Sequence, residues 1–361
     1  RFDENSAGIY VDNAGNVYAA GYTEVTNSSN YNYITLKYDP SGALQWAKQY
    51  NNPVNSSDYV YMMDGDGTNV YVTGTSVAPG TGTDLFTIKY NPSGDSLWTA
   101  RYSGSNSINE IPAGIKADAS GNVYVTARTQ GGTSGTDYIT IKYNSAGVEV
   151  WQKRYTSPGN SQDIPEGLAI DASGNCYVTG STRINSSYND FATVKYNSAG
   201  KEEWVAVYNN TGADGDDYGY DVVTDNEGNV YVTGNSQASG TDRDAVTIKY
   251  NSDGFEQWVA RYHATNSEET YSIGLDAANN VYVAGYQGSS AIDFLTVKYS
   301  QVNGITLIGN EVSVNFVLEQ NFPNPFNPNT NIRIKLPVKE NVTLRIFDVT
   351  GREAAILINE E

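Results

Sequence analysis

The amino-acid sequence is poor in the residue types that most often carry metal, redox or nucleophilic chemistry. Its 361 residues include one cysteine, one histidine and two methionines, and no apolar run reaches the ~18 residues that a membrane span needs. The lone Cys176 excludes an intrachain disulfide, and we interpret it as a small core residue. We interpret the lone His263 as a solvated loop residue. Nucleophile elbows and phosphate-binding loops are also missing.

Basic residues are scarce too. The chain has 22 lysines and arginines against 41 aspartates and glutamates, a net charge of −19. Nucleic acids and anionic membranes attract clustered positive charge, so both are excluded as partners. Divalent cations and neutral polymers such as glycans remain compatible with this charge.

Helical periodicity is the third feature that the sequence lacks, and in its place stands an internal repeat. A segment of the type Gly-Asn-Val-Tyr-Val-Thr returns at intervals of 51 to 54 residues. Each copy is followed by Thr-[Ile/Leu/Val]-Lys-Tyr, and five copies carry a tryptophan in register. The central tyrosines of the six copies are Tyr18, Tyr71, Tyr124, Tyr177, Tyr231 and Tyr282. The tryptophans are Trp46, Trp98, Trp151, Trp204 and Trp258, and their register predicts packing between repeats rather than sugar binding.

Each repeat divides into four short strands separated by Asp/Asn-Gly turns. In the third repeat these strands are 113–117, 123–127, 138–143 and 148–155. Four antiparallel strands in about 50 residues predict one blade of a β-propeller, and one blade alone leaves its faces uncovered. The fold class is therefore all-β, with a six-bladed propeller over residues 1–308. The repeat resembles the SBBP repeats of bacterial propellers, a resemblance that implies the fold and leaves the function open.

The two ends of the repeat region compete for one position. Arg1 and Phe2 match the Arg-Tyr pair that ends the fourth strand of other repeats, whereas residues 305–308 fit the outer strand of the sixth blade. The N-terminal segment therefore either closes the ring or remains as a spare strand. An unpaired strand edge is a template for association with another chain.

The last 45 residues have a different pattern. After a linker at 309–316, residues 320–328 read Gln-Asn-Phe-Pro-Asn-Pro-Phe-Asn-Pro, two alternating runs follow, and 348–353 form a turn. This segment resembles the type A C-terminal sorting domain of the type IX secretion system of Bacteroidetes and their relatives. The resemblance implies the first half of an immunoglobulin-like β-sandwich over 317–361, recognition by the secretion machinery, and an extracellular or cell-surface location after export across the outer membrane.

Acidic residues return eight positions before the turn aspartate, where each first strand begins. The series is Glu4, Asp58, Glu110, Asp163, Asp217 and Glu268. We expect these carboxylates to pair with the periodic strand-three lysines or with nearby backbone amides. The alternative is an acidic ring at the mouth of the channel that holds cations.

Two aspartate-glycine segments have the character of calcium loops. Asp64 and Asp66 lie in the first, and Asp214 and Asp216 in the second, although neither segment completes an EF-hand. No cofactor is certain from the sequence, and calcium is the one that it suggests.

The sequence favours a secreted, non-catalytic surface protein that acts as a structural or binding scaffold. Strand donation between the spare N-terminal strand and the half-complete C-terminal sandwich would link subunits into filaments. The alternative is a propeller that binds a glycan or another polymer through loop residues such as Tyr31 or Tyr188. A hydrolase or lyase built on paired carboxylates is the third and least supported reading.

Overall fold

The structure is a computed structural model that describes most of the repeat region. The described residues are 4–25, 30–104, 109–131, 134–158, 162–184, 188–210, 215–237, 243–264, 267–288 and 292–300, with four short strands beyond residue 316. The part of the chain that the structure describes contains strands and turns, and no helix within it is long and apolar enough to cross a membrane.

The repeats fold into consecutive antiparallel sheets, named here blades 1 to 6. Blades 1 to 3 comprise β1 (Glu4–Val11), β2 (Val17–Glu24), β3 (Tyr31–Tyr38), β4 (Leu44–Tyr50), β5 (Tyr59–Gly65), β6 (Val70–Val77), β7 (Thr83–Tyr90), β8 (Ser96–Tyr102), β9 (Ile111–Ala117), β10 (Val123–Gly131), β11 (Ser134–Tyr143) and β12 (Glu149–Tyr155). Blades 4 to 6 comprise β13 (Ile164–Ile170), β14 (Cys176–Thr182), β15 (Asp190–Tyr196), β16 (Glu202–Tyr208), β17 (Asp217–Thr224), β18 (Val230–Gln237), β19 (Arg243–Tyr250), β20 (Glu256–Tyr262), β21 (Glu268–Leu275), β22 (Val281–Gln287) and β23 (Asp293–Tyr299).

The aspartates that the sequence placed in turns hold those turns together. In blade 3, Asp118 accepts hydrogen bonds from the amides of Ser120 and Asn122, and from the Asn122 side chain. The same arrangement returns at the equivalent turns of blades 1 and 4, where Asp12 and Asp171 also accept the hydroxyl of the following tyrosine. These side-chain bonds fix the hairpin and therefore the register of the first two strands.

Neighbouring blades are joined by a carbonyl group in the turn between the third and fourth strands. Ser198 O, in blade 4, accepts hydrogen bonds from Lys142 Nζ and from Trp151 Nε1 of blade 3, both at 3.2 Å. The lysine also lies over the Tyr124 ring of its own blade, 4.8 Å from the centroid. In other blades the carbonyl groups of Pro92, Ser145 and Ser252 each accept hydrogen bonds from the equivalent lysine and tryptophan of the preceding blade, at 2.9–3.2 Å. The tryptophans thus pack between blades, as predicted.

The apolar core is divided among the blade junctions. Each of five clusters combines buried aromatic or aliphatic residues of one blade with valines and isoleucines of the next. Cys176 is one of these residues, fully buried in the cluster between blades 3 and 4, as predicted. The first strands contact one another from blade to blade, so they form the inner side of the array.

These observations bear out an all-β fold of propeller blades, and they leave the ends of the chain as predictions. Blades 1 to 5 have four strands and the described part of blade 6 has three. Both segments predicted to compete for the last position, Arg1–Phe2 and 305–308, lie outside the described residues. Beyond them, β24 (Val317–Leu318) pairs with β25 (Ile334–Lys335), and β26 (Val342–Phe347) pairs with β27 (Glu353–Glu360). The half-sandwich at 317–361 and the linker at 309–316 remain predictions.

Substitution of Gly200 tests the packing of turn against tryptophan. Gly200 has a φ of +78° and an added Cβ would lie 2.6 Å from the Trp151 ring, whereas Gly80, with a φ of +81°, has open space. Both Gly→Ala variants bear the left-handed penalty of about 1–2 kcal/mol. Gly200→Ala should lose a further ~1–3 kcal/mol through overpacking, measured by urea unfolding. Equal losses in the two variants would contradict this junction geometry.

Candidate functional site

The periodic acids are buried at the points where the chain passes from one blade to the next. Their side chains are 0–1% exposed from Asp58 to Glu268, and the side chain of Glu4 lies outside the described residues. Four of them accept a backbone amide from the loop that precedes them: Asp58 from Asn52, Glu110 from Gly104, Asp163 from Ser157 and Asp217 from Asn210. The backbone-amide pairing is thus found. The lysine pairing is wrong for Lys37, Lys89, Lys142 and Lys195, which bind the next blade's turn.

A second carboxylate stands near several of these acids and raises their pKa values. Burial, and then the charge of Asp84, raise the pKa of Glu110 to about 7. Burial likewise raises the pKa of Asp217 to about 6, with Asp190 adding to the effect. Asp84 itself is paired with Arg101 at 2.8 Å, yet its Oδ1 and the Glu110 Oε2 have no hydrogen-bond partner. Burial together with a second carboxylate disfavours the charged form, so Glu110 is partly protonated at neutral pH.

The predicted calcium-loop residues are occupied by hydrogen-bond donors. Asp66 accepts the amides of Thr68 and Asn69 and the hydroxyl of Tyr71, which makes it the turn aspartate of blade 2. Asp64 accepts the amide of Ala117 from blade 3. In the second segment Asp216 accepts both nitrogens of Asn189, and Asp214 lies outside the described residues. Calcium binding at these aspartates stays a prediction.

His263 lies in the loop after β20 and is exposed, as predicted, and it also contacts two carboxylates. Its Nδ1 lies 2.9 Å from Asp244 Oδ1 and 3.9 Å from Glu268 Oε2 at the junction of blades 5 and 6. These three side chains offer one ligand atom each within 4.8 Å of one another, and they form the group among the described residues that could hold a metal ion. Arg261 already donates to Asp244 at 2.8 Å, and its positive charge opposes a second cation there. This grouping has no signature in the sequence, because the three residues come from three separate elements.

A β-bulge interrupts each of the six first strands at the same place. The bulged residues are Ala7, Tyr61, Ala113, Glu166, Tyr220 and Tyr271. A bulge adds one residue to its strand and re-aims the side chain, so these six residues leave the alternation of the blade. Their identities differ from blade to blade, unlike those of the repeated tyrosines and lysines. We name these six positions the inner wall.

Replacing Glu110 by glutamine tests the raised pKa of this carboxyl group. Because folding raises this pKa from 4.5 to about 7, protonated Glu110 contributes its full stability below pH 4.5 and loses it as the pH rises through 7. The wild-type protein should lose up to roughly 3 kcal/mol between pH 5 and pH 8 from this group, and Glu110→Gln should lose correspondingly less. Urea unfolding at the two pH values measures the difference. The exposed Glu149→Gln is the control, and parallel losses in all three proteins would contradict the assignment.

Comparisons with known proteins agree with the blades. Residues 153–186 and 207–240 match the family described as the SBBP beta-propeller repeat. An uncharacterized WD repeat-containing protein of Acanthamoeba polyphaga mimivirus is 24% identical over 213 residues, which are 51% of this chain and 14% of that protein. The chain therefore spans about one seventh of that relative.

Two solved structures share the fold at low sequence identity. The β-propeller domain of the Trilobed protease from Pyrococcus furiosus superimposes with a TM-score of 0.50 and 8% identity, over 83% of this chain and 86% of that one. An ulvan lyase, a polysaccharide lyase, gives a TM-score of 0.50 and 8% identity over 80% of this chain and 79% of that chain. At this identity the likeness concerns the fold alone. The chain contains SBBP beta-propeller repeats.

Proposed function

We propose that this protein is a secreted, non-catalytic scaffold that assembles from identical subunits through the faces of its first and last blades. The observation that carries the proposal concerns the two end blades. Among the described residues, one face of blade 6 and one face of blade 1 are exposed, whereas the matching faces of the other blades are buried at blade junctions. Two named surfaces are involved. The trailing face of blade 6 is formed by Tyr282, Phe294 and Lys298, and the leading face of blade 1 by Ile9, Val11 and Gly42.

The trailing face carries the residues that are buried in every other blade. Phe294 is 82% exposed, whereas the residues at its position in blades 1 to 5 are at most 1% exposed: Tyr33, Leu85, Tyr138, Phe191 and Ala245. Tyr282 is 36% exposed, and the five tyrosines at its position are fully buried. This blade therefore presents an apolar surface made for another blade of the same repeat.

The leading face lacks the matching contacts. Ile9 is 70% exposed, but Ile115, Leu168 and Ile273 at its position are 4–6% exposed. Gly42 has open space above it, while Gly200, in the equivalent turn, lies against a tryptophan. The two faces are halves of one interface. Because they belong to opposite ends of the repeat region, pairing between copies is head-to-tail and extends into a filament.

The scaffold role draws support from where the unusual acids lie. Glu110 and Asp217 have pKa values suited to proton transfer near neutrality, but both are fully buried. A substrate has no access to them, so they serve the blade junction. Export is supported by the sorting-domain resemblance of residues 317–361 alone. The strand-donation version of assembly involves Arg1–Phe2 and 305–308, outside the described residues, whereas the blade-face version rests on described side chains.

Introducing a negative charge at each face tests the assembly. Ile9→Glu and Phe294→Glu place an unpaired carboxylate in an interface that should be apolar, which opposes association strongly. We expect the wild-type protein to form concentration-dependent polymers in analytical ultracentrifugation and each variant to remain a monomer. Leu97→Glu, at a residue 52% exposed on the outer strand β8, is the matched control and should assemble normally.

A mixing experiment distinguishes this interface from a general effect on solubility. Ile9→Glu keeps its trailing face and Phe294→Glu keeps its leading face, so an equimolar mixture should form dimers and nothing longer. Wild-type protein that stays monomeric at high concentration would overturn the assembly proposal. So would variants that polymerise like the wild type.

A further inference from the structure

We infer that an aromatic surface at the junction of blades 5 and 6, which includes two of the inner-wall residues, is a binding site for an uncharged polysaccharide chain. This goes beyond the proposed function and does not depend on assembly through the blade faces. The site is built from four tyrosines, called here the tyrosine wall: Tyr218 and Tyr220 on β17, Tyr271 on β21, and Tyr286 on β22.

The four rings form a continuous aromatic surface that crosses the blade junction. Tyr220 and Tyr271 have ring centroids 4.7 Å apart, and Tyr286 continues the row at 5.8 Å from Tyr271. Tyr218 stacks on Tyr220 at 6.2 Å with an interplanar angle of 16°. Tyr271 is 43% exposed and the other three rings are half-buried, so Tyr271 is the most accessible part of this surface.

Two of the tyrosines occupy bulge positions, and this matters for their role. The tyrosines that pack blades together are repeated in all six copies, whereas the bulge positions hold alanine, glutamate or tyrosine. A residue that the frame required would recur once in each blade. The tyrosines at 220 and 271 do not recur in that way, and a bulge aims them out of the sheet, as happens beside binding sites.

A charge pair completes the site and sets its polarity. Arg243 lies 3.2 Å from Glu269 and 5.3 Å from the centroid of the Tyr218 ring. The Tyr271 hydroxyl donates to the other oxygen of Glu269. The local surface thus combines aromatic faces with this ion pair. Asp216 beside Tyr218 and Glu166 near Tyr220 add negative charge, which opposes an anionic ligand. Such a surface suits a ligand with an apolar face, a polar rim and no net charge.

A sugar ring has this chemistry. Its axial C–H groups form an apolar face that stacks on an aromatic ring, and its equatorial hydroxyls reach the donors and acceptors at the edge. A polyanion would meet the overall charge of −19, which opposes its approach. The tyrosine wall extends over several rings, which suits a chain of sugars rather than a single one.

The wall does not offer a catalytic base. Burial, and then the hydrogen bond to Glu269, raise the pKa of Tyr271 above its ordinary value, so its hydroxyl keeps its proton at neutral pH. Glu269 is engaged by both Arg243 and Tyr271. The chemistry that remains is recognition through stacking and hydrogen bonds.

Calorimetric titration with cellohexaose, laminarihexaose, mannohexaose and xylohexaose tests the inference on the whole chain. We expect at least one of these uncharged hexasaccharides to bind. Tyr271→Ala and Tyr220→Ala should each weaken that binding roughly tenfold or more, a loss of about 1.4 kcal/mol. Tyr271→Phe keeps the stacking surface and should stay within a few-fold of wild type. Phe255→Ala, at a residue 69% exposed in the outer turn of blade 5, is the control.

Three results would overturn the inference. They are no binding of any of the four hexasaccharides, binding that survives both alanine variants with their circular dichroism unchanged, and tighter binding of hexagalacturonate or of an unrelated peptide than of the uncharged sugars. The Ile9→Glu variant keeps the two proposals distinguishable. If this variant is monomeric and still binds sugar, the sugar site does not require assembly. If the wild-type protein never assembles, the sugar-binding inference is still tested by the titrations.

Discussion

One carbonyl group in each of blades 2 to 5 organises the described part of the repeat region. It accepts an ammonium and an indole N–H from the preceding blade, and this double hydrogen bond holds the two blades at a fixed spacing. The lysine is buried by this arrangement, and the ring of its own blade's tyrosine compensates part of its lost hydration. The glycine two residues further on must stay small, because the indole lies against it. Lysine, tryptophan, tyrosine and glycine are thus repeated together because they serve one junction.

This junction acts only between neighbours, so the stability of the array is close to a sum of blade and junction terms. Five apolar clusters provide those terms, and every one of them draws on two blades. Within the described residues, each terminal blade therefore has one face that is exposed where other blades are buried. The exposed Phe294 and Ile9 are the direct result, because repetition copies the contact residues into the end blades too.

Much of this fold could be predicted because the repeat carries it. The spacing of the tyrosines gives the blades, the Asp-Gly turns give the strands, and the register of the tryptophans gives their packing role. The partners of the acids could not be derived, since a period states how often a residue returns and not which neighbour it faces. Glu110 takes the backbone amide, one of its two predicted partners, and the spacing alone could not choose between them.

Only part of the candidate site could be predicted from the sequence. All six bulges fall at the same point of the repeat, so they leave the period unchanged and give no sign in the spacing. His263 is the exposed loop residue that was predicted, but its neighbours Asp244 and Glu268 could not be predicted because they belong to two other elements. Comparison of the repeats position by position would have drawn attention to the tyrosine wall, because Tyr220 and Tyr271 stand where three of the other four copies have alanine or glutamate.

The bulges also separate two properties that usually conflict in a protein. In an ordinary strand, a side chain that contacts a ligand sits between neighbours that pack the core, and changing it disturbs both. Here the inserted residue stands outside the alternation, while the residues on either side of it keep their pairing. Alanine, glutamate and tyrosine are all accepted at this position within one chain. Such a chain can acquire a new recognition surface by exchanging six side chains, at little cost to the frame that presents them.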